Sequence, residues 1–103
     1  MANLTTDQKV AAIERAIAIV RRKVASIPSV NDADEMAIRA AEKRVKAELK
    51  KELGAKFWFG SDGKFHLQMA QVGASSRADY SGLFRQWQLC ASRKVMMMRL
   101  VAA

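Results

Sequence analysis

The sequence predicts an α+β fold, mostly helical, in the order α-α-β-β-α. Three observations carry this. Apolar residues recur at three- and four-residue steps through the first half of the chain. The period then drops to two in an aromatic-rich stretch between residues 56 and 69. A helical period returns after residue 77 and runs almost to the end.

Each element has its own reasons. In the first helix Val10, Ile13, Ile17, Val20, Val24 and Ile27 form one apolar stripe. Thr5, Thr6 and Asp7 offer an N-cap. Ile27-Pro28-Ser29 ends the helix, because proline pushes the residue before it out of the α region. Ala11, Ala18 and Ala25 make a second stripe of small residues, a candidate seam for a homodimer. The second helix is expected to start near Asn31 or Asp32 and to stop at Gly54. Asp32, Asp34 and Glu35 suit the positive end of its dipole, and Lys50 and Lys51 the negative end. Gly54 suits a left-handed residue after the last turn. Ile38, Ala41, Val45 and Leu49 form the buried stripe. The short link from Pro28 to Val30 predicts an antiparallel helical hairpin.

Lys56-Phe57-Trp58-Phe59 and the run from Lys64 to Met69 flank Gly60-Ser61-Asp62-Gly63. Alternating runs around a Gly/Asp turn predict a two-stranded β-hairpin. Alternation assigns Phe57, Phe59, Phe65, Leu67 and Met69 to the core. Lys56, Trp58, Lys64, His66 and Gln68 fall on the other side. A two-stranded sheet is weak alone, so its Phe-rich face must pack on helices. The stretch from Ala70 to Ser76 reads as a loop around Gly73, with Ser75 or Ser76 capping a last helix from about Arg77. On that helix Tyr80, Leu83, Phe84, Trp87, Cys90, Ala91 and Met98 share one face. Leu89, Met96 and Leu100 form a second apolar line, which calls for a partner of its own. With no repeat, low-complexity segment or boundary, residues 1–103 read as one domain.

Charge narrows the function. The 103 residues carry 18 Lys and Arg against 10 Asp and Glu, a net +8. Such a surface attracts polyanions: nucleic acid, an anionic membrane or an acidic protein. The lone Cys90 forbids an intramolecular disulfide and fits a reducing cytosol. The first residues lack the pattern of a secretory signal, and no apolar run approaches the ~20 residues of a membrane helix. The expected location is the cytoplasm, or the host cytoplasm for a viral protein.

Catalysis finds little support. His66 and Cys90 lie on different predicted elements, so a Cys/His nucleophilic pair lacks local backing. There is no metal-ligand spacing, and Gly60-Ser61-Asp62-Gly63 lacks the spacing of a phosphate loop. The chain is expected to be no enzyme, with no cofactor and no metal.

Three basic surfaces remain. Arg39, Lys43, Lys46 and Lys50 share a face of the second helix and could track phosphates. The same helix carries Glu35–Arg39 and Glu42–Lys46 at favourable spacing, and its acids nearly balance its cations. Lys56, Trp58, Lys64 and His66 interleave aromatic and basic groups on the hairpin face, a platform on which bases stack. Arg85 and Arg99 flank Ser92 on the last helix, near Arg77, Ser81 and Gln88. Since the charge excess falls mainly on the first helix and beyond Gly54, the hairpin face and the last helix rank first. The leading expectation is a non-enzymatic, salt-sensitive binder of DNA or RNA. The alternative is an interaction protein docking on an acidic protein or a ribonucleoprotein, as phage-encoded inhibitors such as anti-CRISPR proteins do. Leu89, Met96 and Leu100 would then be the partner interface.

Overall fold

Thr5 opens the first helix with a capping box. Its hydroxyl accepts from the Gln8 N–H at 3.2 Å, and the Gln8 side chain accepts from the Thr5 N–H at 2.9 Å. In the computed structural model, which describes residues 5–29, 31–77 and 79–102, this helix is α1, Thr6–Val24. There follow α2 (Glu35–Leu53), β1 (Lys56–Phe59), β2 (Phe65–Met69), β3 (Val72–Ser76) and α3 (Tyr80–Ala102). The fold is α+β and mostly helical, with one strand more than expected. The first four residues, where a leader would begin, and Val30 in the interhelical link lie outside the described residues.

Two helix ends differ from the sequence reading. α1 stops at Val24 rather than Ile27, because three-residue hydrogen bonds from Ser26 N–H to Lys23 and from Ile27 N–H to Val24 tighten its exit. α2 starts at Glu35 because Asp34, rather than Asn31 or Asp32, supplies the cap: its carboxylate accepts from the Ala37 N–H at 2.8 Å. Asp32 is held in the preceding turn, where it accepts from the Ser29 hydroxyl at 2.7 Å. Gly54 ends α2 in the left-handed region, φ 63°, as expected.

The helices run antiparallel. Arg44 donates to the Ser26 hydroxyl at 2.9 Å, and the Lys23 ammonium lies 3.1 Å from Glu48 and 3.0 Å from Glu52. Hydrogen bonds to Glu52 and then Glu48 hold the Lys23 pKa above its ordinary value.

The sheet is antiparallel in the order β1-β2-β3. Five residues, Gly60 to Lys64, join β1 to β2: the Gly60 N–H donates to the Lys64 carbonyl, the Gly63 N–H to the Gly60 carbonyl, and Gly63 sits at φ 77°. The stretch expected to be a loop, Ala70 to Ser76, is instead a two-residue turn and a third strand. Its turn residues, Ala70 at φ 51° and Gln71 at φ 62°, both occupy the left-handed region. That is the tight-hairpin geometry, built without the Asn or Gly that normally announces it. Ser75 and Ser76 belong to β3 and do not cap α3. Asp79 does, accepting from the Gly82 N–H at 2.6 Å.

This turn stores strain. Gln71→Gly should raise stability by about 0.5–1 kcal/mol, because glycine removes the Cβ penalty at positive φ. The Lys94 ammonium bonds the main-chain carbonyl of Gln71, at 2.6 Å, so that contact survives the change. A urea midpoint that rises with unchanged slope is the expected result.

The core lies between α1, α3 and one face of the sheet, closed at its far side by α2. Trp87, Phe84, Leu49, Leu67, Leu83, Val20 and Val45 are fully buried. Ile17, Val24 and Ile27 of the expected α1 stripe are only half-buried, and Ala16 completes the buried line. Phe59 is the clear misplacement among the expected core residues. At 63% exposed it sits at the very end of β1, touching Phe65 edge-on with ring centroids 5.2 Å apart. Ala11, Ala18 and Ala25 are exposed. Among the described residues no helix is long and apolar enough to cross a membrane.

Candidate functional site

Strand alternation divides the sheet into two faces. Leu67 and its cross-strand partners Phe57 and Ala74 look toward the helices. Trp58, His66 and Ser75 are paired on the opposite face, with Lys56, Gln68 and Gly73 in the next row. Trp58 is 48% exposed. Its indole lies parallel to the His66 imidazole, with centroids 5.2 Å apart and planes 5° from each other.

The turn fixes this stack. His66 Nε2 lies 3.1 Å from both oxygens of Asp62, and Asp62 also accepts from the Lys64 N–H at 3.0 Å. The hydrogen bond from His66, followed by that from Lys64, holds the Asp62 carboxyl below its usual range. Gly60 makes room for the arrangement. A Cβ there would stand 2.5 Å from Asp62 Oδ1 and 2.8 Å from His66 Nε2. The imidazole therefore cannot lie down against any residue but glycine without something moving.

Beside the stack is a shallow cleft of about 470 Å³. Trp58, His66, Gln68 and Ser75 line it from the sheet, and Gln86 and Cys90 from α3. His66 and Cys90, the one histidine and one cysteine of the sequence, thus reach one cleft although they lie on different elements. His66 Nε2 is turned to Asp62, and the Cys90 sulfur accepts from Gln86 at 3.9 Å. What the cleft offers is a flat π surface with amide and hydroxyl groups. Lys56 and Lys64 stand at opposite ends of the hairpin, Lys56 across from Gln68 and Lys64 at the turn, bonded to Gly60. Gln86 and Ser75 escaped the sequence reading because β3 did. The only signal for them was Val72 and Ala74 alternating around Gly73.

The α2 row is arranged differently. Arg39 is paired with Glu35 as expected, and Lys43 is exposed. Lys46 donates to the Tyr80 hydroxyl at 3.0 Å and lies 4.8 Å from the Tyr80 ring centre and 5.4 Å from that of Phe57. Lys50 lies 6.0 Å from the Phe57 ring centre. The expected partnership of Glu42 with Lys46 gives way to a longer-range one. Glu42 is buried and accepts from both the N–H (2.8 Å) and the hydroxyl of Ser81. The row therefore flanks the helix-covered side of the sheet, opposite Trp58, and the two basic sets do not form one surface.

On α3, Arg99 is paired with Glu14 at 2.8 Å and Arg85 is exposed. Leu89, Met96 and Leu100 are exposed at 48%, 59% and 65%. Among the described residues there is no group of three His, Cys, Asp or Glu able to hold a metal ion.

No protein-family model matches the sequence, and neither a curated protein nor a solved structure shows significant similarity to it.

Proposed function

We propose that this protein is a non-enzymatic binder of single-stranded nucleic acid that uses the open face of its sheet. The observation that carries the reading is the half-exposed Trp58, locked parallel to His66 in a basic setting. An unpaired base stacks on the free side of the indole. The ring is already held by His66, and His66 by Asp62, so little side-chain freedom is lost on binding. Lys56 and Lys64 meet phosphates, while Gln68 and Ser75 offer hydrogen bonds to base edges. Arg39, Lys43, Lys46 and Lys50, with Arg85 and Arg99, add to the long-range attraction of a +8 chain rather than to the stacking site. A cytoplasmic site of action belongs to the same reading, since the lone Cys90 needs no oxidising compartment.

The test is a titration with a single-stranded oligonucleotide, followed by tryptophan fluorescence. Of the two tryptophans, Trp87 is fully buried, so quenching reports on Trp58. Binding should weaken steeply with salt. Trp58→Ala should weaken it between about fivefold and a hundredfold, the value of one stacked base. Absence of binding at low salt, or equal binding by Trp58→Ala, would sink the reading.

A further inference from the structure

Five of the eight large hydrophobic side chains that the described residues leave exposed lie on α3: Leu89, Met96, Met97, Leu100 and Val101. Beside them a groove of about 620 Å³ runs between α1 and α3. Ile17 and Ala18 form its α1 wall, and Val95, Met96 and Leu100 its α3 wall. Ala18 keeps the first wall low. Arg21 and Arg99 stand in the lining, where the one acidic group, Glu14, is already held by Arg99. From Leu89 to Leu100 the outer line rises about 16 Å, three helical turns.

We infer that this groove receives an acidic amphipathic helix of a partner protein, its apolar stripe against Ile17, Met96 and Leu100 and its carboxylates toward Arg21 and Arg99. This goes beyond the nucleic-acid reading and shares with it only Arg99, which there adds to the long-range attraction. Three properties select the occupant. A concave apolar floor about two turns long, from Ser92 to Leu100 on α3, matches an amphipathic helix laid in a groove, whereas a bilayer takes apolar side chains that protrude. Methionines adapt to the shape of what they cover. The charge favours an acidic helix over a second copy, because docking would bring two +8 chains together, whereas an acidic helix meets Arg21 and relieves the repulsion.

The experiment uses the full chain and a labelled synthetic peptide of roughly fourteen residues, with leucines on one helical stripe and glutamates elsewhere. Anisotropy should show binding that Met96→Gln/Leu100→Gln weakens about tenfold or more, while circular dichroism shows the fold kept, since both side chains are exposed. A peptide with lysine in place of glutamate should bind at least about tenfold more weakly. Failure of the acidic peptide to bind, or equal binding to the double variant, overturns the inference. So does retention on phosphatidylglycerol vesicles that the double variant loses, which would make the groove a membrane surface. A dimer in sedimentation that the double variant abolishes would overturn it in favour of self-association.

Discussion

Trp87→Ala should destabilise the protein by about 3–5 kcal/mol, enough to remove much of the 5–15 kcal/mol that holds a typical domain. Trp87 is fully buried on the inner face of α3, and its indole N–H donates to the Val72 carbonyl at 3.1 Å. The alanine leaves a cavity beside Phe84 and Leu83 and takes the indole donor from the Val72 carbonyl. Trp87→Phe separates the two losses. It keeps most of the volume and should cost about 1–2 kcal/mol, the net worth of the lost indole bond with the smaller packing change. Urea denaturation followed by far-ultraviolet circular dichroism measures both. A phenylalanine variant as stable as the parent would show that the bond to β3 contributes nothing net.

The bond from Trp87 to Val72 also shows why the sequence was legible up to a point. The three helices and the first hairpin are local structures. Periodicity, Thr5, Gly54 and the Gly-Ser-Asp-Gly turn each act within a few residues of themselves, so their signals stand in the sequence. β3 has no such signal. Val72-Gly73-Ala74-Ser75-Ser76 has one β-branched residue, and its turn is Ala70-Gln71 at positive φ. What holds it is tertiary: pairing with β2, burial of Val72, and the Trp87 indole. Phe59 fails in the opposite direction. Its alternation is right, but the helices do not extend over the end of β1, and periodicity says nothing about how far a cover reaches.

The candidate surfaces divide in the same way. That Trp58, His66 and Lys56 share a face follows from a period of two, and the register sets Trp58 across from His66 with Lys56 in the next row, whereas Lys64 lies before β2 at the turn end of the hairpin. That Asp62 and Gly60 set the imidazole in place depends on close approach, which a string of residue types does not encode. The lysine row on α2 shares a face as its spacing required, yet Lys46 sits on Tyr80 and Phe57 and cannot act as a freely solvated charge. The Leu89, Met96, Leu100 line was legible as surplus. Only the packing of α1 against α3 made Met96 and Leu100 one side of a groove, which Leu89 does not line.

Glu42 is the case in which a local rule lost to a distant partner, and it yields the second large effect. Glu42→Ala should cost about 2–3 kcal/mol, because the carboxylate accepts two hydrogen bonds from Ser81, 39 residues away, in a buried setting. Ser81 lies in the first turn of α3, whose N–H groups have no partner within the helix. Asp79 satisfies the Gly82 N–H, and Glu42 satisfies the one before it. Both place negative charge at the positive end of the helix. α2 thus caps α3 from outside, beside the point where Lys46 meets Tyr80. Glu42→Gln, which keeps an acceptor oxygen but not the charge, should cost less, about 1 kcal/mol. In a double-mutant cycle with Ser81→Ala, the combined loss should fall short of the sum of the single losses, because both variants break the same hydroxyl bond. Strict additivity would mean that the hydroxyl bond contributes nothing net, leaving the bond from the Ser81 backbone N–H, which Ser81→Ala keeps, as what Glu42 supplies to α3.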